Sequence, residues 1–202
     1  MTLIERLQSD PHAADWEALY QLYWRPVYVF TKANTTLAHE DCEDIVQEVF
    51  IKLIRGGIAK FDPKRARRQD RARFRTWMVF LTRSTRSAWF KRRKRRPEGY
   101  PAGDDETLLE NISNEHEVKF WEIGLTATAL ERLQRMVSPT KYEAFRLHAL
   151  EGRTVKEVGR RLRISPNTVF VYKSEMIKAI KNEIQAIEDE TGDAKKDERR
   201  RQ

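Results

Sequence analysis

Cysteine is nearly absent: Cys42 is the single thiol in a chain of 202 residues. One cysteine excludes an internal disulfide framework and any cysteine-rich zinc site, and it suits a reducing cytosol. No apolar run approaches the length of a bilayer span, and Met1-Thr2-Leu3-Ile4-Glu5-Arg6 lacks the extended apolar core of a signal peptide. These absences predict a cytoplasmic protein with no membrane insertion. Acidic residues are outnumbered as well, with 39 Lys and Arg against 31 Asp and Glu and a net charge of +8. Such an excess bears on partners and solubility rather than on fold, and it predicts a polyanionic partner. Metal-ligand patterns are thin. His39, Glu40, Asp41, Glu43, Asp44 and Glu48 superficially suggest a metal-dependent nuclease. Consecutive helical residues point in different directions, however, and no second cluster at ligand spacing occurs. The expectation is no catalytic residue, no metal and no cofactor.

What the chain has in quantity is helical periodicity. Asp10-Pro11 opens a segment in which Trp16, Leu19, Tyr20, Leu22, Tyr23 and Val27 follow helical spacing, and Pro26 predicts a kink or break near its middle. The aromatics between 16 and 30 are expected to core a small bundle. The helix should end near Asn34-Thr35-Thr36; the next should start near Glu40-Asp41 and stop at Gly56-Gly57. In that second helix apolar residues recur at 45, 49 and 53 and at 46, 50, 53 and 54, a broad stripe to bury. Asp44, Gln47 and Glu48 stand at i, i+3 and i+4 and gather on one outward strip. Two carboxylates with an amide between them suit arginines on another protein; a plain solvated face is the alternative.

Between 64 and 96 the charge becomes one-sided, with Asp70 the lone acid and Phe74, Trp77, Phe80, Trp89 and Phe90 set among the cations. Cations along a backbone and flat rings for unstacked bases are what single-stranded nucleic acid requires. The candidate contacts are Arg73, Phe74, Arg75, Trp77, Arg83, Arg86, Trp89, Lys91, Arg92 and Arg93. The i, i+3, i+7 spacing of Phe74, Trp77 and Leu81 also fits burial, which leaves open which rings are exposed.

Pro97 is expected to end this helix. Residues 97–119 carry Gly, Pro and many acids, Asp104-Asp105-Glu106 among them, as a flexible interdomain linker does. The chain is therefore expected to be all-α, with two small helical domains at 10–96 and 120–187 and a frayed, charged tail at 188–202. In the second domain Ser138-Pro139 has the form of a helix start, and Gly152 of a stop. Residues 154–169 read as a helix-turn-helix. Val155, Val158, Leu162, Ile164 and Val169 form its interior, Gly159 permits a close crossing, and Ser165 caps a second helix beginning at Pro166. Arg160, Arg161 and Arg163 are expected to hold phosphates. Ser165, Asn167, Thr168, Phe170, Val171, Lys173 and Ser174 lie where such a helix meets the major groove of duplex DNA. A plain αα-hairpin is the alternative; the basic surface weighs against it.

The order of residues carries more than their spacing. Asp44-Ile45-Val46-Gln47-Glu48-Val49-Phe50-Ile51-Lys52-Leu53 closely resembles the core helix of region 2 in bacterial RNA polymerase sigma factors, particularly the extracytoplasmic-function (ECF) type. Phe74-Arg75-Thr76-Trp77-Met78 resembles the start of that family's promoter-melting helix, and the helix-turn-helix resembles region 4, which reads the −35 element. The resemblance spans about 15–96 and 125–187. It implies that Asp44, Gln47 and Glu48 face the clamp helices of the polymerase β′ subunit, with further contact to β. It implies that the basic-aromatic residues touch the −10 single strand, that promoter DNA and core RNA polymerase are the partners, and that no covalent chemistry is performed. An anti-sigma protein is a further partner that it allows. The chain departs from the family at Ser84, Ala88 and Lys91, where Asn, Asp and Arg are usual, so individual −10 base contacts do not transfer. The rival is a helix-turn-helix transcription regulator that does not replace sigma. It accounts for 154–176 and leaves the strip at 44–48 and the basic-aromatic stretch without a purpose.

Overall fold

The computed structural model describes residues 1–33, 35–61, 74–94 and 114–192. All regular structure among them is helical: α1 Leu3–Ser9, α2 Ala13–Lys32, α3 His39–Lys52, α4 Phe74–Lys94, α5 Asn114–Met136, α6 Pro139–Phe145, α7 Val155–Leu162 and α8 Pro166–Thr191. The chain forms two compact units, one of Met1–Leu125 with Ile187–Gln202 and one of Thr126–Ala186.

In the first unit α1 precedes the segment expected to open the domain at residue 10. Thr2 and Glu5 start it with a reciprocal cap, Thr2 N donating to Glu5 Oε2 at 2.8 Å and Glu5 N to Thr2 Oγ1 at 3.2 Å. Leu3, Ile4 and Leu7 are then buried. α2 continues through Pro26 as one helix, so of the expected kink or break the break does not occur. Tertiary packing holds it there: a Cβ added at Gly124 of α5 would lie 2.4 Å from Pro26 Cα, so only glycine allows the two backbones this approach. Tyr23, one turn earlier, packs its ring 5.3 Å from Phe74 and 5.7 Å from Trp121.

α3 buries Ile45, Val46, Val49 and Phe50, and Leu53 just beyond its end. The chain then reverses at Gly56, whose φ of +95° suits glycine. Ile54, placed on the buried stripe by periodicity, is instead 57% exposed. The stripe stops one residue earlier because the helical phase of Ile54, ten residues after Asp44, already carries it beside Gln47 on the outward face.

Two expected boundaries move. α5 begins at Asn114, so 114–119 are helix rather than linker, while 97–113 and the stop at Pro97 lie outside the described residues. α8 runs on through Thr191, so 188–191 are not frayed tail. Ile187 is fully buried, and the Thr191 and Tyr23 hydroxyls pair at 3.0 Å, which fixes this last turn in the first unit. Residues 193–202 lie outside the described residues.

The second unit has two small cores. Ala129, Leu133, Phe145, Met176 and Ile180 form one. Ala144, Leu147, Val158 and Val169 form the other, with Val155, Leu162, Ile164 and Tyr172 packed around it. Ser138 caps α6 as expected, its hydroxyl accepting from Lys141 N at 3.4 Å with Pro139 in the first turn. A widened turn, Arg146–Leu150, leads to Gly152 at φ +71°.

Candidate nucleic-acid and protein interfaces

α7 opens with a second reciprocal cap: Thr154 N donates to Glu157 Oε2 at 2.8 Å and Glu157 N to Thr154 Oγ1 at 3.3 Å. Hydrogen bonds from the Thr154 hydroxyl and then its backbone N–H hold the Glu157 carboxyl below the ordinary carboxylate range. The turn after α7 is tight. Ile164 N donates to Gly159 O at 3.0 Å, and a Cβ at Gly159 would sit 2.8 Å from Ile164 O. Gly159 therefore admits the backbone of the turn, and the start of α8 follows closely, with Pro166 N 3.8 Å from the same position. Arg163 completes the turn at φ 55°, the single positive-φ non-glycine among the described residues.

Ser165 caps α8, accepting from Thr168 N at 3.0 Å while its hydroxyl pairs with that of Thr168 at 2.7 Å. Those two hydroxyls serve the cap first. Val169 and Met176 are buried and Tyr172 half-buried, which turns Asn167, Phe170, Val171 and Ser174 outward. Lys173 is half-buried at the edge of this face. Phe170 is 54% exposed, and the ring of His148 meets it edge-on at 6.0 Å. His148 was not among the expected residues; its Nδ1 lies 2.8 Å from Arg153 O, a contact made by the widened turn and invisible to spacing. Arg160, Arg161 and Arg163 are all exposed beside this helix.

On α3, Asp44 and Gln47 are exposed as expected. Ile51 and Ile54 continue the same line at i+7 and i+10 from Asp44 and are exposed too, so the outward strip is polar at one end and apolar at the other. Glu48 is different. Arg92 grips both its oxygens, Nη1 at 3.2 Å from Oε1 and Nη2 on Oε2, and Lys52 Nζ adds a contact at 3.1 Å. Burial pushes the Glu48 carboxyl up, but Arg92 and Lys52 more than offset it and leave its pKa lowered. Arg93 reaches Asp41 at 2.6 Å and lies over the Trp89 ring at 4.6 Å. The structure thus brings the acidic helix and the basic end of α4 together.

α4 sorts the expected single-strand contacts. Phe74 is fully buried against Tyr23, Phe61 and Trp77, so its placement on a base-binding surface is corrected. Arg86, 1% exposed, is corrected too: Nη1 donates to Phe30 O at 2.9 Å and reaches Thr31 O at 3.5 Å. Helix ends leave carbonyls without intrahelical donors, and Arg86 serves those that close α2. Burial pushes its pKa down to about 10. Arg75 (3.5 Å from Glu188), Trp77, Arg83, Trp89 and Arg93 are half-buried, whereas Lys91 and Arg92 are exposed. Arg73 lies outside the described residues. The most exposed aromatic of α4 is Phe80, at 66%. It sits opposite the Phe74–Met78 face, in line with exposed Thr76 and Ser84 at i−4 and i+4, a period that could have singled it out.

Among the described residues no group of three metal-ligating side chains occurs, and no helix is long and apolar enough to cross a membrane. Among the described residues the chain is all-helical, and α7 and α8 follow one another across a tight turn. Scanned against models of protein families and searched against curated proteins, the sequence matches none of either.

Proposed function

We propose that this chain is a promoter-specificity (sigma) subunit of the extracytoplasmic-function type, acting in the cytoplasm without covalent chemistry. It binds core RNA polymerase through the outward strip of α3, mainly at the β′ clamp helices, and promoter DNA through both units. Because a helix-turn-helix fits the rival regulator equally well, the observation that carries this reading is on α3. That helix buries Ile45, Val46, Val49 and Phe50 and leaves Asp44 and Gln47 outward, as a docking face requires. Around it, exposed Phe80 and Lys91 supply a ring and a cation for an unstacked strand. The α8 face of Asn167, Phe170, Val171 and Ser174 supplies duplex contacts. Melting would draw on binding energy, at roughly a few kcal/mol per disrupted step.

The test is capture of purified core polymerase by the full chain, followed by run-off transcription from a selected promoter. Asp44→Ala/Gln47→Ala is expected to keep its helical content and lose capture, by tenfold or more if each polar contact to a charged partner is worth about 1.5–3 kcal/mol. Duplex binding with no capture of core polymerase would favour the regulator instead. Metal-dependent nicking of plasmid DNA would point to an enzyme.

A further inference from the structure

His148 stands beside the outward face of α8 with one of its two nitrogens committed. Nδ1 lies 2.8 Å from Arg153 O, and a carbonyl oxygen only accepts, so Nδ1 carries the proton of the neutral ring. Phe170, 54% exposed on α8, meets the imidazole edge-on at 6.0 Å. These two contacts hold the ring, and among the described residues no hydrogen bond or ion pair engages Nε2. Protonation therefore adds a donor at Nε2 and leaves the bond to Arg153 O in place. The surrounding charges share one bias. Residues 139–175 include four carboxylates, and each already has another partner. Arg146 of the widened turn holds Glu143 of α6 at 2.7 Å, and Glu151 as well. Glu157 of α7 accepts from Thr154 N at 2.8 Å, and Glu175 of α8 takes Lys141 of α6 at 2.6 Å. The other charged groups on these elements are cations: Arg153, Lys156, Arg160, Arg161, Arg163 and Lys173. No carboxylate is left to pair with an imidazolium, so its anion comes from outside the chain.

We propose that His148 is a proton-linked contact to duplex phosphate: the imidazolium, not the neutral ring, donates its Nε2–H to the backbone, so duplex binding takes up a proton. The neutral ring presents a lone pair at Nε2 to phosphate oxygens that themselves only accept, and makes no bond there. Such a contact fixes how α8 lies on the duplex and reads no base itself. The proposal rests on the reading above only in that the α8 face meets duplex DNA; it holds whether or not polymerase is the protein partner. Imidazole is the side chain whose charge ordinarily changes between about pH 5 and 8. Linkage sets the sign: a ligand that prefers the protonated form binds more tightly as pH falls.

A fluorescein-labelled duplex of mixed sequence, titrated with the full chain over a salt series at about pH 5.5 and about pH 8, reads this contact. Each phosphate contact on duplex DNA adds about 0.9 to the slope of log K against log salt. His148→Gln keeps a donor and an acceptor without a charge, and it subtracts the response of every other titrating group. Relative to that variant, wild type is expected to steepen by about 0.9 between the higher and the lower pH. Its affinity should rise about two- to fivefold more over the same interval, the scale of a surface ion pair. His148→Arg, charged at both pH values, should keep the steep slope at about pH 8. The same pH response in wild type and His148→Gln overturns the proposal. Should His148→Gln lose helical ellipticity, His148→Arg carries the test: a slope at about pH 8 no steeper than that of wild type refutes the contact. Arg161→Ala separates the proposal from the reading beneath it. A slope shallower by about one unit in Arg161→Ala, with no pH response that belongs to His148, refutes the proton linkage and leaves duplex binding by α8 standing. Slopes unchanged in both variants refute duplex binding by α8, and the proposal with it.

Discussion

Replacing Arg86 decides whether a cation in the middle of the basic helix serves nucleic acid or the fold. The side chain is 1% exposed, and its Nη1 lies 2.9 Å from Phe30 O and 3.5 Å from Thr31 O. Two quantities oppose each other. Burial, with a smaller push from the like charge of Arg83, lowers its pKa to about 10, which weighs about 3 kcal/mol against the charged form. A hydrogen bond from a charged donor returns about 1.5–3 kcal/mol, and the Phe30 ring beneath the guanidinium at 5.0 Å about 1–2 kcal/mol more. The cation is thus close to balanced in place. What truncation exposes is the rest of the site: buried carbonyls without their donor, at about 1–3 kcal/mol, and the space the side chain filled. Arg86→Ala is therefore expected to lower unfolding free energy by about 2–4 kcal/mol. Arg86→Met, which fills the space without charge, should lose roughly half as much. Urea unfolding followed by circular dichroism gives both values. The salt slope of oligothymidylate binding, measured on folded Arg86→Met, should equal that of wild type. A slope shallower by about 0.7 would place Arg86 on a phosphate, and an alanine variant as stable as wild type would refute its role at the end of α2.

Gly124→Ala should be destabilising although alanine gains about 1 kcal/mol of helix propensity. The new Cβ would stand 2.4 Å from Pro26 Cα, and overpacking of rigid backbone costs about 1–3 kcal/mol; an unchanged or raised melting temperature would refute the α2–α5 crossing. Thr154→Ala should cost about 1 kcal/mol at neutral pH through the lost cap of α7. Because Glu157 has its folded pKa depressed by the same cap, the contribution of Glu157 is present above its unfolded pKa and lost as pH falls through the folded value. The stability difference between wild type and Glu157→Gln should accordingly vanish in acid, and a difference that persists there would contradict the charged cap. Asn167→Ala should relax base preference at one position of a duplex site, by about 1–3 kcal/mol if the amide makes a bidentate pair. Arg161→Ala should weaken all sequences alike and shallow the salt slope by about one unit; a uniform loss for Asn167→Ala would remove it from base readout.

The parts of the fold that were legible are those whose causes are local. The second helix of the helix-turn-helix could be placed to the residue because Ser165, Pro166 and the spacing of Val169, Tyr172 and Met176 act within a few residues of one another. α3 was legible for the same reason, except at Ile54, whose phase at the edge of the stripe leaves it outside. α1 has a readable cap at Thr2 and Glu5 and three apolar residues, but it lies ahead of the Asp10-Pro11 signal that opens the expected domain. The fates of Pro26 and Arg86 were not legible. Each depends on backbone from elsewhere in the sequence, the Gly124 crossing in one case and the carbonyls closing α2 in the other. The last turn of α8 has the charged composition of a tail, and only its burial beside Tyr23 makes it structure.

The same distinction bears on function. Composition counts every lysine and arginine between 64 and 96 toward a polyanion, but counterion release depends on the cations that reach phosphates. Arg86 is committed to carbonyls, Arg75 faces Glu188, and Arg92 and Arg93 face Glu48 and Asp41. Among its described residues, α4 therefore offers fewer cations to a strand than its sequence suggests. Two of the committed arginines are held by ion pairs that a competing charge can open, whereas Arg86 is held by buried backbone that no ligand reaches.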